Sequence, residues 1–171
     1  MRPYTQGLLD GMCGVYSVIN AMHAIDHMPE KRAETMFRIT IKKFSSIFPT
    51  AFYDGIKFDE LLTITRWIAK KYVKNKLKCY KPVRKKVDIR GWFDILEQVL
   101  DKDKTAVIIG LGYPEDHWSV CVAVERKGNG RYLVLSDSYF GLKRFRESKF
   151  SMFKKKDKIQ IDPFETIVIG K

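Results

Sequence analysis

Three side chains in this sequence have the types and the order that nucleophilic thiol chemistry needs. Cys13 offers a nucleophile, His117 a base, and Asp137 a carboxylate that can hold the base in one tautomer. Taken singly, each has an ordinary structural explanation, respectively a small buried thiol, a histidine at a strand end and a turn residue. Taken together, they favour attack of a thiolate on an amide carbonyl.

The elements that must position these groups begin with a helix at Cys13. Apolar side chains recur at helical spacing over residues 13–27, and Pro29 ends the segment. A cysteine at a helix start lies at the positive end of the helix dipole, which favours the thiolate. Gly14 is expected to leave room for a substrate backbone. The amide of Gln6, together with the Cys13 backbone N–H, can hold a developing oxyanion.

The candidate base opens a predicted strand at residues 117–125. Alternation along this strand puts His117, Ser119 and Cys121 on one face and larger side chains, such as Trp118, on the other. Because the first face carries small side chains, we expect the helix to pack closely on it. That packing would bring the thiol to the base.

The candidate carboxylate ends the next predicted strand, and its position depends on the hairpin between the two strands. If Asn129-Gly130 formed a two-residue turn, Asp137 would face Val122, ~16 Å along the strand from His117. We therefore predict a longer loop at 125–129, with a bulge as the alternative. On this reasoning, a tight turn would exclude Asp137 as the orienting group.

Helices precede strands along the chain. Further helices are predicted over 30–47, 58–74 and 88–101, with a loop at 48–57, and strands over 105–112, 117–125, 131–137 and 164–170. The segment 141–150 is ambiguous. This order predicts an α+β fold in which N-terminal helices pack on a mostly antiparallel sheet, in a single domain over residues 1–171.

Composition narrows the class of protein. A chain of 171 residues suits one sizeable core, and 45% hydrophobic residues are too many for a disordered chain. Its apolar runs are far shorter than the ~20 residues that span a bilayer, and no signal peptide is recognisable, so we expect a cytoplasmic protein. The odd cysteine count and the absence of metal-binding spacing argue against a disulfide framework and a zinc site. No cofactor is expected.

The formal net charge is +12, and basic residues are concentrated at 66–90 and 143–158. A solvated basic surface that aids solubility is the plain explanation. The alternative is an acidic partner, namely a nucleic acid, an anionic membrane or an acidic protein. Neither run shows the glycine and aromatic interleaving of an RNA-binding motif.

Four other residues carry reactive groups. His23 and His27 are spaced on the first helix as metal ligands can be, but no third ligand is evident, so a helix-surface pair is the better interpretation. Cys121 is expected to be a buried structural thiol. Cys79 is expected to be a strand residue and not a nucleophile.

The order Gln6, Cys13-Gly14, His117-Trp118 and Asp137 resembles the papain-like cysteine peptidase superfamily, above all its small bacterial members related to the bacteriocin-leader peptidases. In that family the glutamine supplies the oxyanion hole, the cysteine attacks, the histidine is the base, and an aspartate or asparagine orients it. The resemblance implies a papain-like fold, a protein or peptide substrate, and thiol-dependent amide hydrolysis.

Two other functions stay open. Glutamine deamidases and transglutaminases use the same triad on this kind of fold and differ in the substrate cleft. A catalytically silent basic module for an acidic partner is favoured by the charge and opposed by the intact Cys-His-Asp order.

Because Gln6 lies so early in the sequence, no N-terminal propeptide is expected, and the loop at 48–57 is a candidate for a closed, latent state.

Overall fold

Apolar side chains cover most of the circumference of the first helix, which accordingly lies in the interior. The computed structural model describes residues 2–6, 11–72 and 77–170, with the side chain of Tyr72 left out. Helix α1 (Cys13–Asp26) buries ten of its residues. It ends where His27 adopts the left-handed conformation, and Pro29 then serves as the N-cap of the next helix.

Four more helices follow, and one of them was not predicted. They are α2 (Glu30–Lys43), α3 (Phe48–Asp54), α4 (Phe58–Tyr72) and α5 (Ile89–Leu100). The predicted loop at 48–57 is wrong, because its turn-forming residues mark the two ends of α3. Pro49 lies in the first helical turn, where its missing N–H is not needed, and Gly55 ends the helix at a φ of 76°. Among the described residues, none of the helices is long and apolar enough to cross a membrane.

The strands form one large sheet and one small one. The six-stranded sheet contains β1 (Lys78–Tyr80), β2 (Ala106–Leu111), β3 (His117–Lys127), β4 (Gly130–Asp137), β5 (Gly141–Arg146) and β8 (Thr166–Gly170). Their order is β1-β8-β2-β3-β4-β5, and each neighbouring pair is antiparallel, which confirms the predicted α+β class. Strands β6 (Phe150–Ser151) and β7 (Ile159–Gln160) form a separate parallel pair. The ambiguous segment 141–150 is thus β5, a short 3₁₀ turn and the start of β6.

Helices cover both faces of the large sheet. Helices α1, α2 and α4 enclose one apolar core, which includes Trp118 and Val120 of β3. Helix α5 encloses the other, which includes Cys121. The expectation that α1 packs on the small face of β3 is therefore wrong. The larger face offers more apolar area to bury, and the buried Ser17 hydroxyl of α1 donates to the Trp118 carbonyl at 2.8 Å.

The hairpin between β3 and β4 also differs from the prediction. Lys127 pairs with Gly130, so the turn is tight, and the predicted longer loop at 125–129 is wrong. The bulge named as the alternative is present, between Cys121 and Ala123. Without it, this turn would set Asp137 opposite Val120 and on the α1 face of the sheet. The extra residue shifts the register by one, which turns Asp137 to the side of β3 that carries His117.

The Ser17 hydrogen bond ties α1 to the strand that carries the candidate base. Ser17→Ala is expected to lower the free energy of unfolding by about 1–3 kcal/mol, because a buried acceptor loses its donor. Urea denaturation monitored by circular dichroism measures this. Thr35→Ala, which removes an exposed hydroxyl bonded within α2, should change stability by only about 0.5 kcal/mol. Equal effects of the two substitutions would contradict the assigned role of Ser17.

Candidate active site

The thiol of Cys13 lies at the N-terminal end of α1 and is 7% exposed. It lies beside the imidazole of His117, the first residue of β3, and interacts with it electrostatically. The two side chains therefore meet because the first residue of α1 lies next to the first residue of β3. They do not meet across the face of the sheet. Gly14 has a different role from the predicted one. A Cβ at this position would meet the side chains of Ile56 and Leu61 at 3.3 Å, so the glycine permits close helix packing.

The other side of the imidazole faces a buried carboxylate. The Nε2 atom of His117 lies 3.1 Å from Oδ2 of Asp137, and the exposed fractions of these side chains are 11% and 0%. The Oδ1 atom of Asp137 accepts from the backbone N–H groups of Tyr139 at 2.7 Å and Phe140 at 2.9 Å. The turn after β4 thus fixes the carboxylate, and the carboxylate fixes the ring. Nδ1 is left as the ring nitrogen for the thiol.

The two partners shift each other's protonation. Burial disfavours the charged imidazole, but its interactions with Asp137 and Cys13 outweigh the cost of burial and raise the pKa of His117 to about 9. Burial likewise disfavours the charged carboxylate, but the hydrogen bond and charge of His117 hold the pKa of Asp137 below its usual value. Near neutral pH, a cationic imidazole therefore stands beside the Cys13 thiol. A neighbouring cation stabilises a thiolate.

Gln6 is connected to the site through the residue that follows Asp137. Its backbone N–H donates to the Ser138 carbonyl at 3.1 Å, and its Oε1 accepts from the Ser138 hydroxyl at 3.0 Å. These bonds orient the amide and tie the N-terminal segment to the end of β4. Within the described part of the chain, Gln6 does not line the cleft that contains Cys13 and His117.

That cleft has a volume of about 390 Å³. One wall is the segment 53–58, which joins α3 to α4, and the other wall comes from the ends of β2, β3 and β8. Trp118 holds the first wall in place, because its indole N–H donates to the Ile56 carbonyl at 2.8 Å and its ring stacks on Phe58. This wall was not predicted from the sequence, because the proline and glycine at the ends of α3 are also typical of a loop.

The cleft is acidic, in contrast to the protein as a whole. Its lining includes Asp54, Asp116 and Glu165, against Lys57 and the His117 imidazolium as the cations among the described residues. In the described ranges, no ion pair joins any of these three carboxylates to a basic side chain. Burial, followed by the charges of Asp162 and Asp116, raises the pKa of Glu165. No motif in the sequence indicates this cluster, because its members come from three separate connections.

The remaining reactive residues lie apart from the cleft. Cys121 is fully buried, which raises the pKa of its thiol to about 12 and confirms the expected structural thiol. Cys79 lies in β1, as expected of a strand residue, and burial raises its pKa to about 11. The rings of His23 and His27 are 6.4 Å apart, and burial lowers the pKa of His23. Over the described ranges, no group of three or more metal-ligating side chains is present.

Comparison with solved structures identifies a similar fold. The chain superposes on the crystal structure of a double glycine motif protease from an AMS/PCAT transporter in complex with the leader peptide, with a TM-score of 0.51. The match covers 99% of this chain and 91% of that one, at 14% sequence identity. The match confirms the predicted fold, in which N-terminal helices pack on a mostly antiparallel sheet as they do in that protease. At the level of sequence, no family model and no curated protein matches the chain.

The raised pKa of His117 makes part of the stability depend on pH. Because the folded state binds this proton more tightly than the unfolded state (pKa ~6.5), the contribution is complete below that value and is lost as the pH rises through about 9. The difference in unfolding free energy between the wild type and His117→Gln should therefore shrink over this window. Urea titrations at a series of pH values measure it.

An Asp137→Asn background supplies the control, because the substitution removes the charge that raises the His117 pKa. In this background, the difference in unfolding free energy between histidine and glutamine at position 117 should depend much less on pH. A stabilising contribution of His117 that grows between pH ~6.5 and 9 would contradict the assigned sign.

Proposed function

We propose that this protein is a papain-like cysteine peptidase that hydrolyses peptide bonds, with Cys13 as nucleophile, His117 as general base and acid, and Asp137 as the orienting group. One observation carries the proposal, namely a single imidazole that lies beside a thiol and is hydrogen-bonded to a fully buried carboxylate at the wall of a cleft. A nucleophile beside a base that a third group orients is the arrangement typical of nucleophilic catalysis.

The reaction follows from this arrangement. The Cys13 thiolate attacks the scissile carbonyl carbon and forms a tetrahedral oxyanion. When the oxyanion collapses, the C–N bond breaks, and the His117 imidazolium gives its proton to the leaving amine. Water, deprotonated by the now neutral His117, adds to the thioester. Cleavage of the C–S bond then releases the carboxylic acid and regenerates the ion pair.

The oxyanion needs hydrogen-bond donors, and two are proposed. The backbone N–H of Cys13 belongs to the first turn of α1, where N–H groups have no acceptor within the helix. The Gln6 side chain is the second. An amide donates only through its nitrogen, so the proposed role requires the Gln6 amide nitrogen to contact the oxyanion. Donors of this kind each contribute about 10²–10³ in kcat.

Alkylation by iodoacetamide tests the thiolate and its base directly. Peptide mass spectrometry should show Cys13 modified faster than the other two cysteines, and His117→Ala should slow this modification by about tenfold or more. Cys79 and Cys121 serve as internal controls, since burial raises their pKa values to about 11 and about 12. They should react slowly in both proteins.

A control variant shows whether the effect is specific to His117 or follows the loss of any histidine. The control is His27, which caps the C-terminal end of α1. His27→Asn changes an exposed residue whose left-handed φ of 42° an asparagine tolerates, and it should leave Cys13 labelling unchanged. A Cys13 that resists iodoacetamide, or that reacts equally in the wild type and in His117→Ala, would refute the catalytic assignment.

The charge of the cleft bears on the substrate. The structural neighbour binds a leader peptide, and we propose a peptide substrate here as well. Three carboxylates without basic partners in the described chain, on a protein of net charge +12, favour a substrate with a lysine or arginine near the scissile bond. The half-buried Glu165 contributes most to this preference, because charge interactions strengthen as solvent is excluded.

A pair of peptides differing only in lysine or glutamate beside the scissile bond tests this preference. The lysine peptide should have the higher kcat/KM. Glu165→Gln should lower the ratio of kcat/KM for the lysine peptide to kcat/KM for the glutamate peptide by about tenfold. The control is Asp101→Asn, a charge-matched change at the end of α5, which should leave this ratio unchanged. If Glu165→Gln does not change the ratio either, the proposed role of the cleft carboxylates is wrong. Intact-mass analysis of the same reactions distinguishes hydrolysis from deamidation of a glutamine.

A further inference from the structure

A second surface of the molecule combines exposed aromatic rings with unpaired cations. Phe153 and Phe164 are 69% and 45% exposed, and together with Met152 and Lys86 they line a shallow groove of about 300 Å³. The segments that meet there are far apart in sequence, so the fold brings them together. We call this surface, with the adjoining Lys154, Lys155, Lys156 and Lys158, the lysine–phenylalanine patch.

The patch is strongly basic. The neighbouring cations Arg84 and Lys85 are exposed and extend its charge. The acidic residues within it are Asp157 and Asp162, and in the described ranges neither forms an ion pair with a patch lysine. Lys154 extends over the exposed ring of Tyr113, at 4.0 Å from its centroid. The positive charge is therefore available to an external partner.

Phenylalanine has no polar group that gains from exposure to water, so two such rings held outward are unfavourable unless something covers them. Apolar rings encircled by lysines match the boundary between lipid headgroups and acyl chains. The rings enter the acyl region there, and the flexible lysines reach the headgroup phosphates. We propose that the lysine–phenylalanine patch docks this protein peripherally on an anionic lipid bilayer.

The types of side chain favour a lipid surface over a nucleic acid. The cation that lines the groove is Lys86, which acts as a point charge. Among the described residues, no arginine lines the groove to recognise a phosphate or a base with a forked pair of bonds. A diffuse layer of anionic headgroups requires no such geometry. The proposal does not depend on the chemistry at Cys13, so it can fail or succeed separately from the proposed peptidase.

Vesicle sedimentation with the full chain tests the proposal. Binding to phosphatidylcholine vesicles should require added phosphatidylserine and weaken as salt is raised. Replacement of Lys154, Lys155 and Lys156 by glutamine should lower the partition coefficient about a hundredfold, since each lysine near an anionic surface contributes roughly fivefold. The charge-matched control replaces Lys31, Lys42 and Lys43 of α2, which packs on the opposite side of the sheet, and should retain nearly full binding.

Insertion of the rings is tested independently. Phe153→Trp should give tryptophan fluorescence that brominated lipids quench beyond the wild-type background, and Phe153→Ser with Phe164→Ser should reduce partitioning about tenfold or more. Leu142→Ser, at an exposed apolar residue of β5, is the matched control. Circular dichroism verifies the fold of each variant.

Three results would overturn the proposal. The first is failure to bind vesicles that contain phosphatidylserine. The second is equal loss of binding in the patch and α2 lysine variants, which would mean that net charge alone attracts the protein. The third is patch-dependent binding to single-stranded DNA without quenching by brominated lipid, which would assign the same surface to a nucleic acid.

Discussion

The buried carboxylate of Asp137 is the constraint on which the site depends. A charge with no solvent exposure is stable only if every part of it is solvated by the protein, and here two backbone N–H groups and one imidazole do so. The same hydrogen bonds fix the turn after β4, the protonation of His117 and the orientation of its ring. The adjoining Ser138 donates a hydrogen bond to Gln6, so the N-terminal segment is anchored next to Asp137.

The sequence was sufficient to predict the parts that depend on local patterns. Helix α1 and strands β2 to β4 follow from spacing and alternation, and the predicted pair His117 and Asp137 lies within hydrogen-bonding distance. What failed depends on tertiary choices. Which face of β3 receives α1 is decided by the area that Trp118 and Val120 bury, and the alternation pattern alone does not rank the two faces. Helix α3 was missed because its terminal proline and glycine also occur in loops.

The acidic cleft and the basic exterior are arranged side by side. Gln160 of β7 bridges them, since its N–H donates to the Tyr113 carbonyl and its own carbonyl accepts from Gly112, both at 2.8 Å. Gly112 lines the cleft, and Tyr113 lies beneath Lys154 of the patch. The net charge of +12 thus describes the average of two opposite surfaces. A sequence-level charge count cannot reveal this division, because the residues of each surface come from distant segments.

The bulge between Cys121 and Ala123 has a consequence for how such a site can change over generations. Side chains alternate along a strand, so a register shift of one residue does not move Asp137 slightly but transfers it to the opposite face of the sheet. Insertions and deletions within this hairpin therefore act on the site in an all-or-none manner. Descendants of this chain can vary the exposed residues of the hairpin, whereas a change of one residue in its length must be compensated by a second such change.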